Sequence, residues 1–92
     1  MADAERYDVV LSPGARRALT EQLPPSAAFA CWEFIDGQLR ANPRMVGAPL
    51  REPFAGLWRA RRGEYRVRYE IDDERHLISI LDIDHRRDAY RT

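Results

Sequence analysis

Residues 57–72 read LWRARRGEYRVRYEID, and five arginines fall among them: Arg59, Arg61, Arg62, Arg66 and Arg68. The stretch predicts a β-hairpin. Residues 57–62 form one strand, Gly63-Glu64 the turn, and residues 65–71 the return strand. Glycine tolerates the positive φ that a two-residue loop demands, and the flanks are rich in strand-forming residues. Side chains alternate between the two faces of a strand. Tyr65, Val67, Tyr69 and Ile71 therefore point one way, and Arg66, Arg68 and Glu70 the other. On the first strand Trp58 and Ala60 share one face, while Arg59 and Arg61 share the opposite one. Burying the aromatic and aliphatic face leaves an array of guanidinium groups on the other.

Any one of these arginines alone reads as solvated surface, because its aliphatic stem covers apolar neighbours well. The cluster reads differently. Like charges set opposite one another on neighbouring strands repel, and phosphate groups would neutralise them. The array is thus a candidate polyanion-binding surface on a rigid element.

Upstream, residues 6–11 (RYDVVL) predict a short strand. Ser12-Pro13 has the form of an N-cap followed by proline at the first helical position. A first helix is expected to about Leu23, with Ala15, Ala18, Leu19 and Leu23 inward, until Pro24-Pro25 breaks it. A second helix carries Ala28, Trp32, Ile35 and Leu39 on one face, widened by Phe29 and Phe34, and stops at Asn42-Pro43. This stripe is read as core. Residues 44–56, with Gly47, Pro49, Pro53 and Gly56, predict an irregular connector, ordered by Met45, Val46, Leu50 and Phe54. Beyond the hairpin, Asp72-Asp73-Glu74 marks an acidic turn and residues 76–83 (HLISILDI) a central strand. A short polar tail, HRRDAYRT, follows. The expected class is α+β: an N-terminal strand, a two-helix hairpin, then a three-stranded antiparallel meander with both helices on one sheet face.

Ninety-two residues fit a single domain, 1–92, with one modest core. An apolar share of 45% excludes a disordered chain, and 33% charged residues argue against a membrane protein. No apolar run approaches the ~18–20 residues that span a bilayer, and MADAERYD has no basic-then-apolar leader pattern. Cys31 has no partner for an internal disulfide, which suits a reducing cytoplasm, and it reads as core filler. Formal net charge is zero, but every one of the 15 basic residues is arginine. Arginine suits bidentate phosphate contacts and is a poor proton acceptor.

Several chemistries are excluded. There is no GxGxxG, Walker loop, GxSxG elbow or paired Cys/His set, so no metal or cofactor is expected. His76 and His85 lie too far apart along a strand to cluster as ligands. Phosphate chemistry without metal remains, with arginines from the sheet and His85, Arg86, Arg87 and Tyr90 from the tail. His85 has a titration range suited to general acid or base work, or it is a structural histidine. Tyr90 either stacks on a base or docks on the sheet. Glu52, Glu64, Asp82 and Asp84 are further carboxylates near the arginines, most simply read as their salt-bridge partners.

The run GLWRARRGEYRVRYEIDD, a hydrophobic strand and then IDHRRDAYR closely resembles the RelE family of the RelE/ParE toxin superfamily, and NPRMVGAPL fits that family's connector. The resemblance spans nearly the whole chain. It implies the toxin half of a type II toxin–antitoxin pair: a ribosome-dependent, metal-independent endoribonuclease acting in the A site. The ribose 2′-hydroxyl of translated mRNA would attack the adjacent phosphate. Implied partners are a cognate antitoxin, the ribosome with its rRNA, and mRNA, with a toxin–antitoxin hetero-oligomer on operator DNA. The alternative within the same fold is a ParE-type, non-catalytic inhibitor of DNA gyrase. A third reading is a member that acts mainly as a repressor partner. Carried over residue by residue, the resemblance puts Arg59 and Arg61 on the catalytic surface and Arg66 on the phosphate. In the tail it marks Arg86, or Arg87 beside it, together with Tyr90. Arg62, Arg68 and Arg87 complete the expected RNA and ribosome contacts. Two departures bear on the proton transfers. Arginines stand where some members have lysines, and Ala48-Pro49-Leu50 lacks the glutamate of a Pro-Glu-Pro-Leu connector.

Overall fold

Gly63 adopts φ +62° and, with Glu64, closes a two-residue loop between the strands Trp58–Arg62 and Tyr65–Asp72. Residues with a Cβ are strained at such a φ, so glycine fixes the loop, and the loop fixes the register. Arg62 stands opposite Tyr65, Ala60 opposite Val67 and Trp58 opposite Tyr69. The structure, a computed structural model, describes residues 6–85.

In chain order the elements are β1 (Asp8–Leu11), α1 (Pro13–Arg17), α2 (Pro25–Phe34), α3 (Pro43–Val46), β2 (Gly47–Pro49), β3 (Trp58–Arg62), β4 (Tyr65–Asp72) and β5 (Leu77–His85). Both α1 and α2 continue into π-helical turns, Ala18–Gln22 and Ile35–Leu39. The Ser12 hydroxyl accepts from the Ala15 N–H at 3.0 Å, the expected N-cap, and donates to the Leu81 carbonyl at 2.6 Å. One side chain thus starts the helix and docks it on the sheet.

The five strands lie in the order β1-β5-β4-β3-β2. All pairs are antiparallel except β1 with β5, which run parallel. The predicted meander is present. It is extended by β1 on one side and by β2 on the other, where an irregular connector was expected. Residues 43–49 have structure because Tyr69, buried in the core, donates its hydroxyl to the Pro43 carbonyl at 2.6 Å. Gly47 lies against that hydroxyl and against the Arg59 carbonyl, leaving no room for a Cβ. The β4–β5 register slips by one residue between Arg68 and Tyr69. This bulge lets Ile78, Ile80 and Ile83 all face the core despite their spacing.

The core lies between the helices and one sheet face. Ala15, Ala18, Cys31, Phe34, Ile35 and Leu39 meet Ala60, Val67, Tyr69, Ile78, Ile80 and Ile83. Each fully buried large aliphatic side chain contributes about 1.5–3 kcal/mol, which offsets the conformational entropy lost on folding. The stripe expected on the second helix is corrected. Cys31, Phe34, Ile35 and Leu39 are buried, whereas Phe29 is 63% and Trp32 39% exposed. That helix is apolar on two sides, and a π-turn shifts its phase, so periodicity alone does not select the inner side.

The end of the sheet far from the hairpin loop is clasped by polar groups. Arg44 grips the Asp73 carboxylate at 2.7 and 3.2 Å, and the Tyr7 hydroxyl donates to the same group at 2.9 Å. These contacts hold the Asp73 carboxyl below its usual range, the Arg44 hydrogen bond most of all. Tyr7 also stacks on His76 with ring centroids 4.0 Å apart. None of the helices among the described residues is long and apolar enough to cross a membrane.

Candidate functional site

The sheet face turned away from the helices carries Arg59 and Arg61 from β3 and Arg66 and Arg68 from β4, as the alternation requires. Arg59 stands directly opposite Arg68, and Arg61 opposite Arg66. Two such like-charge pairs on adjacent strands are unfavourable by themselves. Their compensation comes from β5, whose Asp82 and Asp84 stand opposite Arg68 and Arg66.

Compensation is unequal along the face. Arg68 holds Asp82 through two hydrogen bonds, Nε at 2.9 Å and Nη2 at 2.5 Å, and its Nη2 lies 3.7 Å from Asp84. The hydrogen bonds to Asp82 raise the Arg68 pKa further. The pair is about one-third exposed, so it contributes within about 1 kcal/mol to stability. Its larger effect is to occupy the Arg68 fork. Among the described residues neither Arg59 nor Arg61 forms an ion pair. Both are exposed, on a strand held by backbone pairing on each side.

Between this face and the connector lies a hollow of about 250 Å³ lined by Leu50, Phe54, Arg59, Arg66, Arg68 and Asp84. Guanidinium groups and one carboxylate meet an aliphatic and an aromatic side chain there. A fixed array of this kind can bind an anion. In an apolar-walled recess its charge acts more strongly than in open water.

The predicted site residues do not all converge. Arg59, Arg61, Arg66 and Arg68 share the face. Arg62 does not: alternation puts it on the helix side of β3, where its charge offsets part of the rise that burial imposes on the Cys31 thiol. His85 is likewise on the helix side. It stands opposite Tyr65, meets that ring edge-on with centroids 5.1 Å apart, and its Nε2 lies 3.2 Å from Glu64 Oε1. With Gln22, Leu23 and Pro24 it lines a separate hollow at the end of the first helix. The bulge in β5 sets this orientation, and sequence alternation alone does not reveal it. Arg86, Arg87 and Tyr90 lie outside the described residues. Phe54 and Leu50 wall the hollow, whereas their apolar character in the sequence signals only an ordered connector. Their nearness to the arginines follows from the fold of residues 47–57.

Comparison with known proteins gives this geometry a class. The family model described as ParE toxin of type II toxin–antitoxin system, parDE, matches residues 9–90. The chain is similar to Toxin RelE of Mycobacterium tuberculosis, 45% identical over 91 residues, covering 99% of this chain and 93% of that protein. It is also similar to Toxin RelG of the same organism, 48% identical over 85 residues, covering 92% and 97%. The crystal structure of the toxin–antitoxin complex RelBE2 from Mycobacterium tuberculosis matches with a TM-score of 0.84 and 47% identity, over 88% of this chain and 99% of that one. The chain belongs to the RelE family within the RelE/ParE superfamily of type II toxin–antitoxin toxins.

Proposed function

We propose that the protein is a ribosome-dependent endoribonuclease that cuts translated mRNA, and that a cognate antitoxin holds it inactive. One observation carries this reading: among the described residues Arg59 and Arg61 form no ion pair, and they lie on a rigid face beside Arg66. In-line attack of a ribose 2′-oxygen on the adjacent phosphorus forms a 2′,3′-cyclic phosphate as the P–O5′ bond breaks. The 2′-hydroxyl gives up its proton, and the departing 5′-oxygen takes one from solvent. The attack concentrates negative charge on the phosphoryl oxygens. Guanidinium groups already aimed there stabilise that charge without reorganising. Arg66 contacts the phosphate, while Arg59 and Arg61 hold the flanking backbone. Arg68, neutralised by Asp82, positions the strand. Arg86 or Arg87 and Tyr90, outside the described residues, enter this reading only through the family resemblance. The ribosome supplies the alignment of the RNA, since a hollow this shallow orients a flexible strand poorly by itself.

The site works in the cytoplasm, and the exposed helix side provides the antitoxin's landing area. Leu11, Leu19, Ala28, Phe29 and Trp32 form an apolar hollow of about 360 Å³ rimmed by Arg16. An amphipathic antitoxin segment would cover it, and the resulting hetero-oligomer binds operator DNA. The gyrase-directed alternative needs no exposed pair such as Arg59 and Arg61. Inducing the toxin alone is expected to stop growth and to leave primer-extension stops inside translated messages. Co-expressing the antitoxin should restore growth. Intact transcripts alongside trapped gyrase–DNA complexes would reverse the assignment.

His85 stays outside this mechanism. His85→Gln is expected to cleave on programmed ribosomes at the parent rate, with the same pH profile. A slower variant with an altered profile near neutrality would return His85 to proton transfer.

A further inference from the structure

The hollow on the arginine face has a wall that phosphate binding does not use. Phe54 is 50% exposed and is absent from the core cluster, yet its backbone is held closely. Its N–H donates to the Arg51 carbonyl at 2.8 Å, and its own carbonyl accepts from the Leu57 N–H at 3.1 Å. The Leu50 N–H closes the same loop onto the Leu57 carbonyl at 2.9 Å. An exposed phenylalanine by itself is ordinary surface. Phe54 differs in where it stands, facing with Leu50 into a recess whose other lining is Arg59, Arg66, Arg68 and Asp84.

We propose that Phe54, backed by Leu50, is the platform for one base of single-stranded RNA whose phosphate lies on Arg59 and Arg66. The site matches the two halves of a nucleotide: a flat apolar ring for the base and guanidinium groups for the phosphate. Single-stranded RNA is gripped through this combination of stacking and backbone charge. The Asp84 carboxylate repels a second phosphate at that end of the hollow, so the strand runs from Phe54 across Arg59 and on toward Arg61. The site also accounts for a loop that buries little and is nonetheless held by three backbone hydrogen bonds. The proposal rests on the RNA reading given above and adds a base-binding subsite to it.

The test uses two fluorescent RNA trinucleotides at low salt, one complete and one lacking its central base. Both carry 2′-O-methyl groups to block cleavage. The parent protein is expected to bind the complete oligomer about tenfold more tightly than the abasic one, as aromatic stacking on one base provides. Phe54→Leu should abolish that difference and leave the abasic affinity unchanged, while Phe54→Trp should retain it. Circular dichroism on each variant establishes that the fold is intact. Equal affinity of the parent for both oligomers, binding to neither, or an equal loss for both in Phe54→Leu overturns the platform. Mapping of cut sites in translated mRNA judges the underlying reading separately. Cleavage without base-dependent binding removes the platform and keeps the nuclease. Base-dependent binding through Phe54 without cleavage keeps the platform and removes the nuclease.

Discussion

Arg66→Ala is expected to slow single-turnover cleavage of ribosome-bound mRNA by about 10²–10³, the typical cost of removing one preorganised donor from a developing oxyanion. The substitution leaves the buried side of β4 intact, because Val67 and Tyr69 face the core and Arg66 does not. The variant should therefore fold and still bind its antitoxin. Arg75→Ala is the matched control. Its guanidinium is 79% exposed in the turn after β4, 3.9 Å from Asp72, and exposed pairs of that kind contribute little. Equal toxicity of the two folded variants would show that the arginine face is not the active surface.

Gly47→Ala is expected to lower stability by about 2–4 kcal/mol, which is roughly 10–20 °C in Tm for a domain of this size. An added Cβ would meet the Tyr69 hydroxyl and would lie 2.8 Å from the Arg59 carbonyl. The second neighbour is backbone in the middle of β3 and cannot swing aside. Relief requires β2 to leave the sheet edge, or Tyr69 to release Pro43. Thermal unfolding followed by circular dichroism measures the loss, and a shift of under 2 °C would show that the edge yields freely.

The same tyrosine makes a pH prediction. Burial pushes its phenol from the ordinary 10.0 up to about 12. The unfolded chain therefore releases this proton first as pH rises. The stabilisation is fully present below pH ~10 and is lost between there and pH ~12, at most about 2–3 kcal/mol. Tyr69→Phe should flatten that part of the stability curve. It should also cost roughly 1–3 kcal/mol at neutral pH, because the Pro43 carbonyl loses its donor.

Much of this architecture is legible in the residues. The two-residue loop at Gly63, the alternation through Val67 and Tyr69 and the Ser12 cap are local signals, and each acts over a few positions. What escapes is set by distant partners. The fifth strand, Gly47–Pro49, exists because Tyr69 anchors Pro43 from far along the chain. His85 turns to the helix side because a bulge near Leu81 shifts β5 by one residue, and no composition rule marks that bulge. Phe29 and Trp32 have the same apolar character as Phe34, and tertiary packing alone decides which are covered. Within the candidate site, Arg59, Arg61 and Arg66 are legible because a hairpin is a local structure. Phe54 is not, since only the closure of residues 50–57 brings it into the hollow with Arg59 and Arg66.

The parallel pairing of β1 with β5 has a consequence for how the protein is made. Asp8 stands opposite Leu77, so β1 waits for β5, far along the chain, before it gains a neighbour. Such long-range closure is slow, and it comes late as a chain emerges during synthesis. Until then Ile78, Ile80 and Ile83 are missing from the core, and Asp82 and Asp84 do not yet face the arginines. A half-made chain is thus a loose hairpin of mutually repelling guanidinium groups beside two unsupported helices. The arginine face is therefore assembled only once β5 has been delivered.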